Sequence, residues 1–511
     1  MNLHTQRESK VRAKYAFIVV SLILISVYLV LGTGRFALFG GVPFFVNVAY
    51  LTLSALLFIH LKRLFWLFFV FVLFLAFYAP VGLLYGELTE EFVLAIFGTF
   101  ANEAGEFAKT FPFKHIAFSL ISIILILYFY FTTEKVSLKN RKIIIFLVLF
   151  VIITAFGQPL KIGTTSTFAK GIRYFKRSLD YMKLVNETKI EPKWQITSVS
   201  PKYKNFVVVI GESARRDYFE IYGYTVKNTP FLREINGTFV DGYTATGLNT
   251  IPALRHVLSH NADLNLNIVD LANLAGFETS WLSNQGTIGY HDTANTMVAQ
   301  RAKFLYFISK DKSIKQKSDA NLIKKVSEIL NNESINARVI FLQSYGSHFE
   351  SCERLTTNEY KKYLDEKTFN INCYVETIAQ TDGDLRLLYN ILENNRQKTG
   401  ESFSIIYFSD HGLTHKNNPL KLTMRQNASK EHFAVPMIKI SSDDTGRKFI
   451  KNESYANYFP QNFARWLGVE VANFSEFSDI FSEVTQKDTL NAKNLVKNPK
   501  SDPAIDISKF R

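Results

Sequence analysis

The chain has 511 residues, of which 47% are apolar and 46 are Phe, with a net charge of +14 and two cysteines. This length exceeds one compact domain, and the apolar residues crowd the first 160 positions while Lys, Asn, Asp and Ser dominate the rest, which excludes a uniformly soluble protein. Beside so apolar a front, the basic excess is read as attraction to anionic membrane head groups rather than to nucleic acid.

Five windows reach or approach the length that crosses a bilayer: 15–31, 38–60, 64–85, 115–131 and 143–157. The first run is long and lacks a small-residue cleavage site, so it is read as an anchor and not as a cleaved signal. Basic residues cluster in alternate links: Arg7, Lys10, Arg12 and Lys14, then Lys62 and Arg63, then Lys135, Lys139, Arg141 and Lys142. The link at 87–114 instead holds Glu87, Glu90, Glu91, Glu103 and Glu106. Placing the N-terminus in the cytoplasm puts every basic cluster inside, and five crossings then export everything after about residue 160. The expected organisation is a transmembrane domain at 1–160, an interfacial helix and linker at 161–202, and an exported catalytic domain at 203–511.

In the linker, Phe168, Ile172, Phe175, Leu179 and Met182 recur at helical spacing, with Lys170, Arg173, Lys176 and Arg177 between them. Such a basic amphipathic helix suits the membrane interface, and the same pattern suits packing on the exported domain. From 203 onward short β-rich runs at 206–210, 278–282, 339–342 and 404–408 alternate with helical stretches such as 321–330 and 381–392. This predicts an α/β domain with a mainly parallel sheet sandwiched by helices. Cys352 and Cys373 both fall in the exported part, where a disulfide is the simplest expectation.

Ligands of open α/β sheets bind beyond the carboxyl ends of the strands. Three predicted strands end in Gly211-Glu212-Ser213, in Gln343-Ser344-Tyr345-Gly346-Ser347-His348, and in Ser409-Asp410-His411-Gly412. An acidic residue at one strand end is often a helix cap. Together these ends put two carboxylates and two imidazoles on one rim, a donor set suited to zinc, with manganese as the alternative. Thr250, ahead of a predicted helix with Pro252 in its first turn, reads either as an N-cap or as a nucleophile beside that metal. The second reading gains weight from Glu212, Asp410 and His411.

The stretch 207–223 (VVVIGESARRDYFEIYG), Asn228-Thr229-Pro230-Phe231-Leu232, Asn249-Thr250, Trp281-Leu282-Ser283-Asn284-Gln285, Gly346-Ser347-His348, Cys373-Tyr374 with Thr381-Asp382, and Ser409-Asp410-His411-Gly412 resemble, in that order, the bacterial phosphoethanolamine transferases. Those are inner-membrane members of the alkaline-phosphatase and sulfatase superfamily, multi-pass, with a periplasmic catalytic domain. The resemblance implies one zinc held by Glu212, Thr250, Asp410 and His411. It implies Thr250 as the nucleophile that takes phosphoethanolamine from phosphatidylethanolamine and passes it to lipopolysaccharide or another periplasmic acceptor. His348 would contact the phosphate or a second zinc, and Thr99, Glu103, Asn284 and His432 become candidate substrate contacts.

Several positions depart from the lipid A-modifying members. Gly286 and Gly289 stand for a Ser and a Lys, Ala95 for an Asn, and Thr423 for a late His, for which His415 or His432 would substitute. One cysteine pair replaces several. These differences point toward the branch acting on lipopolysaccharide core sugars or other periplasmic acceptors. A sulfatase-like hydrolase, a phosphoglycerol transferase and a non-catalytic envelope scaffold are the rival readings; Thr250 cannot be converted to the formylglycine of a sulfatase.

Overall fold

The computed structural model describes residues 3–34, 44–62, 64–98, 111–133, 163–187, 189–285, 294–308, 318–332, 334–356, 369–415, 422–423, 428–474, 479–483 and 500–510, with a few isolated positions besides. The chain divides into two compact units, 1–179 and 180–511.

In the first unit, helices α1 (Leu3–Leu31), α2 (Phe44–His60) and α3 (Phe65–Tyr85) are followed by the short α4 (Glu90–Gly98) and by α5 (Phe113–Thr132). Among the described residues, three helical stretches are long and apolar enough to span a membrane: Ser9–Leu31, Phe65–Tyr85 and Phe113–Thr132. Of the five expected spans, the described residues show these three and one shorter apolar helix, Phe44–His60. The second predicted run starts its helix only at Phe44, directly after Pro43, whose ring and missing N–H disfavour a helix interior. The fifth run, 143–157, falls almost wholly outside the described residues, as do Thr99 and Glu103.

These helices bury Leu22, Leu51, Val72 and Phe129 against one another. Small residues bring backbones together: a Cβ on Gly82 would lie 2.0 Å from the Gly32 carbonyl oxygen, so α1 and α3 meet where no side chain intervenes. Thr52 donates to Ser26 at 2.9 Å and Ser119 to the Ala76 carbonyl at 2.6 Å, satisfying hydroxyls that an apolar setting would penalise. Helix α6 (Gly163–Glu187) begins within this unit. Its Phe168 packs edge-on against Phe71 and Phe74, Lys170 pairs with Glu87 and Arg177 with Glu90, while Ile172, Phe175 and Leu179 stay exposed.

The second unit is built on eight strands: β1 (Asn205–Gly211), β2 (Gly237–Val240), β3 (Glu278–Ser283), β4 (Phe304–Phe307), β5 (Arg338–Gln343), β6 (Phe403–Ser409), β7 (Met437–Ser441) and β8 (Arg447–Ile450). Their order is β8-β2-β7-β6-β1-β5-β3-β4. The five strands from β6 to β4 are parallel, and β7 runs antiparallel to both its neighbours. Strand β1 is buried along its whole length, as the unbroken run Phe-Val-Val-Val-Ile requires of a central parallel strand.

One face of the sheet, with Phe206, Val208, Phe341 and Phe408, packs on α7 (Thr250–Leu258) through Leu254, Val257 and Leu258. The other face is covered by α8 (Asp319–Leu330) and the long α9 (Phe369–Thr399), so the sheet is sandwiched. Cys352 and Cys373 are joined by a disulfide that ties the loop after β5 to α9 across 21 residues. Closing a loop of that size restricts the unfolded chain, so Cys352→Ser should destabilise the second unit by about 3 kcal/mol. A lower thermal midpoint, matched by reducing the wild-type chain, checks this.

Candidate active site

Strands β1 and β6 pair in parallel with Gly211 opposite Ser409. The next residues, Glu212 and Asp410, therefore emerge side by side. Asp410 donates its amide to the Gly211 carbonyl at 3.1 Å, holding the two strand ends together. Glu212 and Asp410 are each 1% exposed and His411 2%. One ligand atom from each of the three lies within 4.8 Å of the others. His411 Nε2 stands 3.3 Å from Glu212 Oε1 and 3.6 Å from Asp410 Oδ2.

The remaining hydrogen bonds orient this triad. Ser213 Oγ donates to Glu212 Oε1 at 2.6 Å, and Gln285 Nε2 donates to Glu212 Oε2 at 3.0 Å. Asp410 Oδ1 accepts from the amides of Ser213 and His411, at 3.1 and 2.7 Å. His411 Nδ1 lies 2.8 Å from the Gly412 carbonyl, which can only accept. Nδ1 therefore carries a proton, and Nε2 is the ring nitrogen that faces the carboxylates.

Asp410 Oδ2 is buried with no hydrogen-bond partner. Burial and the neighbouring Glu212 charge push the Asp410 carboxyl up to about 8. Burial opposes ionisation of Glu212 as well, yet the adjacent His411 holds it well below the usual carboxylate range. Burial lowers the basicity of His411, but Asp410 and Glu212 outweigh it and raise the imidazole to about 9. An orphaned carboxylate oxygen and a ring nitrogen facing two carboxylates fit a divalent cation with nitrogen and oxygen donors.

Thr250 joins this cluster. Its Oγ1 donates to Glu212 Oε2 at 2.9 Å. The N-cap reading is set aside here: Asn249 occupies the cap position without a side-chain cap bond, and Thr250 is the first residue of α7. Asn295 holds that first turn by donating to the carbonyls of Thr250 and Ile251 at 3.2 and 3.3 Å. His348 follows the end of β5, half-buried, its ring against those of Tyr345 and Phe349.

The family model described as Sulfatase matches residues 204–469. The chain belongs to the sulfatase family. It is 33% identical to a provisionally named phosphoethanolamine transferase of Haemophilus influenzae over 67% of this chain and 72% of that one. To the phosphoethanolamine transferase OpgE of Escherichia coli it is 38% identical, over 54% of this chain and about half, 53%, of that relative.

Among solved structures, the integral membrane lipooligosaccharide phosphoethanolamine transferase A of Neisseria meningitidis shares the fold with a TM-score of 0.65. It is 16% identical and covers 91% of this chain and 97% of its own. The periplasmic domain of Escherichia coli EptC, solved in complex with Zn, shares the fold with a TM-score of 0.50 at 19% identity, over 58% of this chain and 92% of that one.

Three further candidates from the sequence, Asn284, His432 and His415, each have partners of their own. Asn284 donates to Asp319 at 2.7 Å, and it is the next residue, Gln285, that reaches Glu212. His432 is fully buried and makes a parallel stack with His411, ring centroids 5.5 Å apart. Burial holds its imidazole well below its ordinary basicity. His415 belongs to a neighbouring network, bonded to Asp502 at 2.8 Å and to Tyr218 at 2.7 Å.

Sequence reasoning missed Gln285, Ser213 and Asn295. Gln285 was within reach, as the last residue of the quoted Trp281–Gln285 motif; Asn295 carries no local signal. Chelator competition on purified protein should show that Gln285→Ala weakens divalent-metal affinity about tenfold, the usual cost of losing a group that orients a ligand. Metal removal should likewise lower the thermal midpoint of the second unit, and added zinc should restore it.

Proposed function

We propose that the protein transfers phosphoethanolamine from phosphatidylethanolamine to an acceptor hydroxyl of the bacterial envelope, by way of a covalent adduct on Thr250. The observation that carries this reading is the 2.9 Å hydrogen bond from Thr250 Oγ1 to Glu212 Oε2, which brings a hydroxyl nucleophile into the buried Glu212–Asp410–His411 cluster.

Glu212, Thr250, Asp410 and His411 would hold a divalent ion, which would supply Lewis acidity to ease loss of the hydroxyl proton and neutralise phosphoryl charge. Zinc suits this mixed nitrogen and oxygen donor set, and the EptC domain was solved with Zn. Manganese is the alternative.

The chain's own groups carry the rest. Glu212 accepts the Thr250 proton's hydrogen bond and is itself held by Ser213 and Gln285. Thr250 Oγ bonds to phosphorus as the bond from phosphorus to the diacylglycerol oxygen breaks, and the proton that Thr250 gives up ends on that oxygen. The first-turn amides of α7 and its dipole favour the phosphoryl oxygens. In the second half an acceptor oxygen bonds to phosphorus, its proton passing to His348, and the bond to Thr250 Oγ breaks as the hydroxyl regains its proton. This is general base catalysis from the rim.

The three candidate spans fit a multi-pass protein of the inner membrane, with the second unit in the periplasm. There the donor lipid and the enzyme share one membrane, which raises their effective concentration. Relatives named as lipooligosaccharide and lipid A transferases support an acceptor among lipopolysaccharide groups, core sugar or lipid A. The departures at Gly286, Gly289 and Thr423 favour a core sugar or another periplasmic acceptor over lipid A.

Thr250→Ala should abolish both diacylglycerol release from phosphatidylethanolamine and the phosphoethanolamine adduct seen by mass spectrometry of the wild-type protein. Undiminished release by this variant would overturn the reading.

A further inference from the structure

Residues 432–435 contact all three loops that build the site. The His432 carbonyl accepts from Gly412 at 2.7 Å, beside the Asp410-His411 pair. The Phe433 carbonyl accepts from Ala245 at 2.8 Å, and the Ala434 carbonyl from Arg216 at 3.0 Å. Two of these partners belong to the loops that deliver Thr250 and Glu212. A backbone hub of this kind fixes loops to one another but does not by itself set the nucleophile.

The His432 ring adds that link. It lies parallel to His411, 8° between planes with centroids 5.5 Å apart, and its Nε2 stands 3.1 Å from the carbonyl oxygen of Leu248, two residues before Thr250. A carbonyl only accepts, so Nε2 carries the proton and donates; Nδ1 keeps its lone pair toward Thr414 Oγ1, 3.4 Å away. The arrangement leaves no slack: a Cβ on Gly412 would sit 2.8 Å from the His432 carbonyl oxygen. The ring is fully buried, so no solvent competes for the bond to Leu248.

We infer that His432 is a positioning residue, whose Nε2–H bond to the Leu248 carbonyl and stack on His411 hold Thr250 in register with the metal-binding side chains. The inference rests on the transfer reading of this site and gives His432 a role other than substrate contact. It acts through Leu248 and His411 and touches no reacting atom.

Two variants of like polarity separate reach from mere bulk. In His432→Gln the side-chain nitrogen falls near the position of Nε2 and can still donate to Leu248; in His432→Asn it is too short. Hydrogen exchange of the peptide covering 245–251, measured on the full chain in detergent, should run about tenfold faster in His432→Asn than in wild type, the scale expected when one buried bond is lost. His432→Gln should stay near wild type. Adduct formation on Thr250 should follow, with kcat lowered in the Asn variant, KM for the donor lipid unchanged, and rate recovered in the Gln variant.

Imidazole 15N spectra of the wild-type chain, the His432 signals assigned by their loss in the Gln variant, should show the proton on Nε2. A proton on Nδ1, unchanged exchange in His432→Asn, or a Gln variant as impaired as the Asn variant would each overturn the inference. Exchange and tautomer need no turnover. A wild-type protein that releases no diacylglycerol would therefore sink the transfer reading and leave the positioning role standing.

Discussion

Two carboxylates buried side by side are the constraint around which the second unit is organised. Glu212 and Asp410 stand one residue past paired positions of adjacent parallel strands, so the register of β1 on β6 forces them together. Burying one unpaired carboxylate costs several kcal/mol, and two repel each other as well. The surroundings answer with donors: Ser213, Gln285 and Thr250 to Glu212, and two backbone amides to Asp410. One lone pair, Asp410 Oδ2, is left over. The elevated proton affinity of Asp410 and His411 expresses the same deficit, which a cation meets better than a shared proton does.

How much of this was legible from sequence depends on how local each signal is. Glu212, Asp410 and His411 were legible because a buried β-run followed at once by Gly-Glu-Ser or Ser-Asp-His announces a strand end and its polar rim. That β1 and β6 are neighbours was not, since strand order arises from contacts some 200 residues apart in the chain. The choice between Asn284 and Gln285 was not legible either. Consecutive residues of an extended chain point to opposite sides, so a one-residue ambiguity at the end of β3 exchanges Asp319 for Glu212 as the partner. His432 belongs to the same class: a lone histidine after a loop reads as polar surface until the fold sets it against His411. In the first unit, hydropathy located the helices but could not register where Pro43 starts the second one.

The residue that follows Glu212 shows how tightly the two carboxylates dictate their neighbours. Ser213 has φ of 58°, in the left-handed region where a non-glycine side chain is strained by about 1 kcal/mol or more. Glycine would take that conformation without strain. It would also lose the hydroxyl that donates to Glu212 Oε1 at 2.6 Å, while the same backbone turn aims the Ser213 amide at Asp410 Oδ1. A bond to a buried charged acceptor contributes about 1.5–3 kcal/mol, which exceeds the strain. Serine is the better residue there.

Gly346 presents the opposite case. It too has positive φ, at 45°, and a Cβ would lie 2.9 Å from the Glu212 carbonyl oxygen, against backbone that cannot give way. No side chain there offers a bond to offset that clash, because Ser347 already donates its amide to the Glu212 carbonyl at 2.9 Å. Space decides at 346 and hydrogen bonding at 213, although both residues have positive φ. One position contacts the Glu212 carboxylate and the other its backbone, which helps keep a side chain so costly to bury aimed at Thr250.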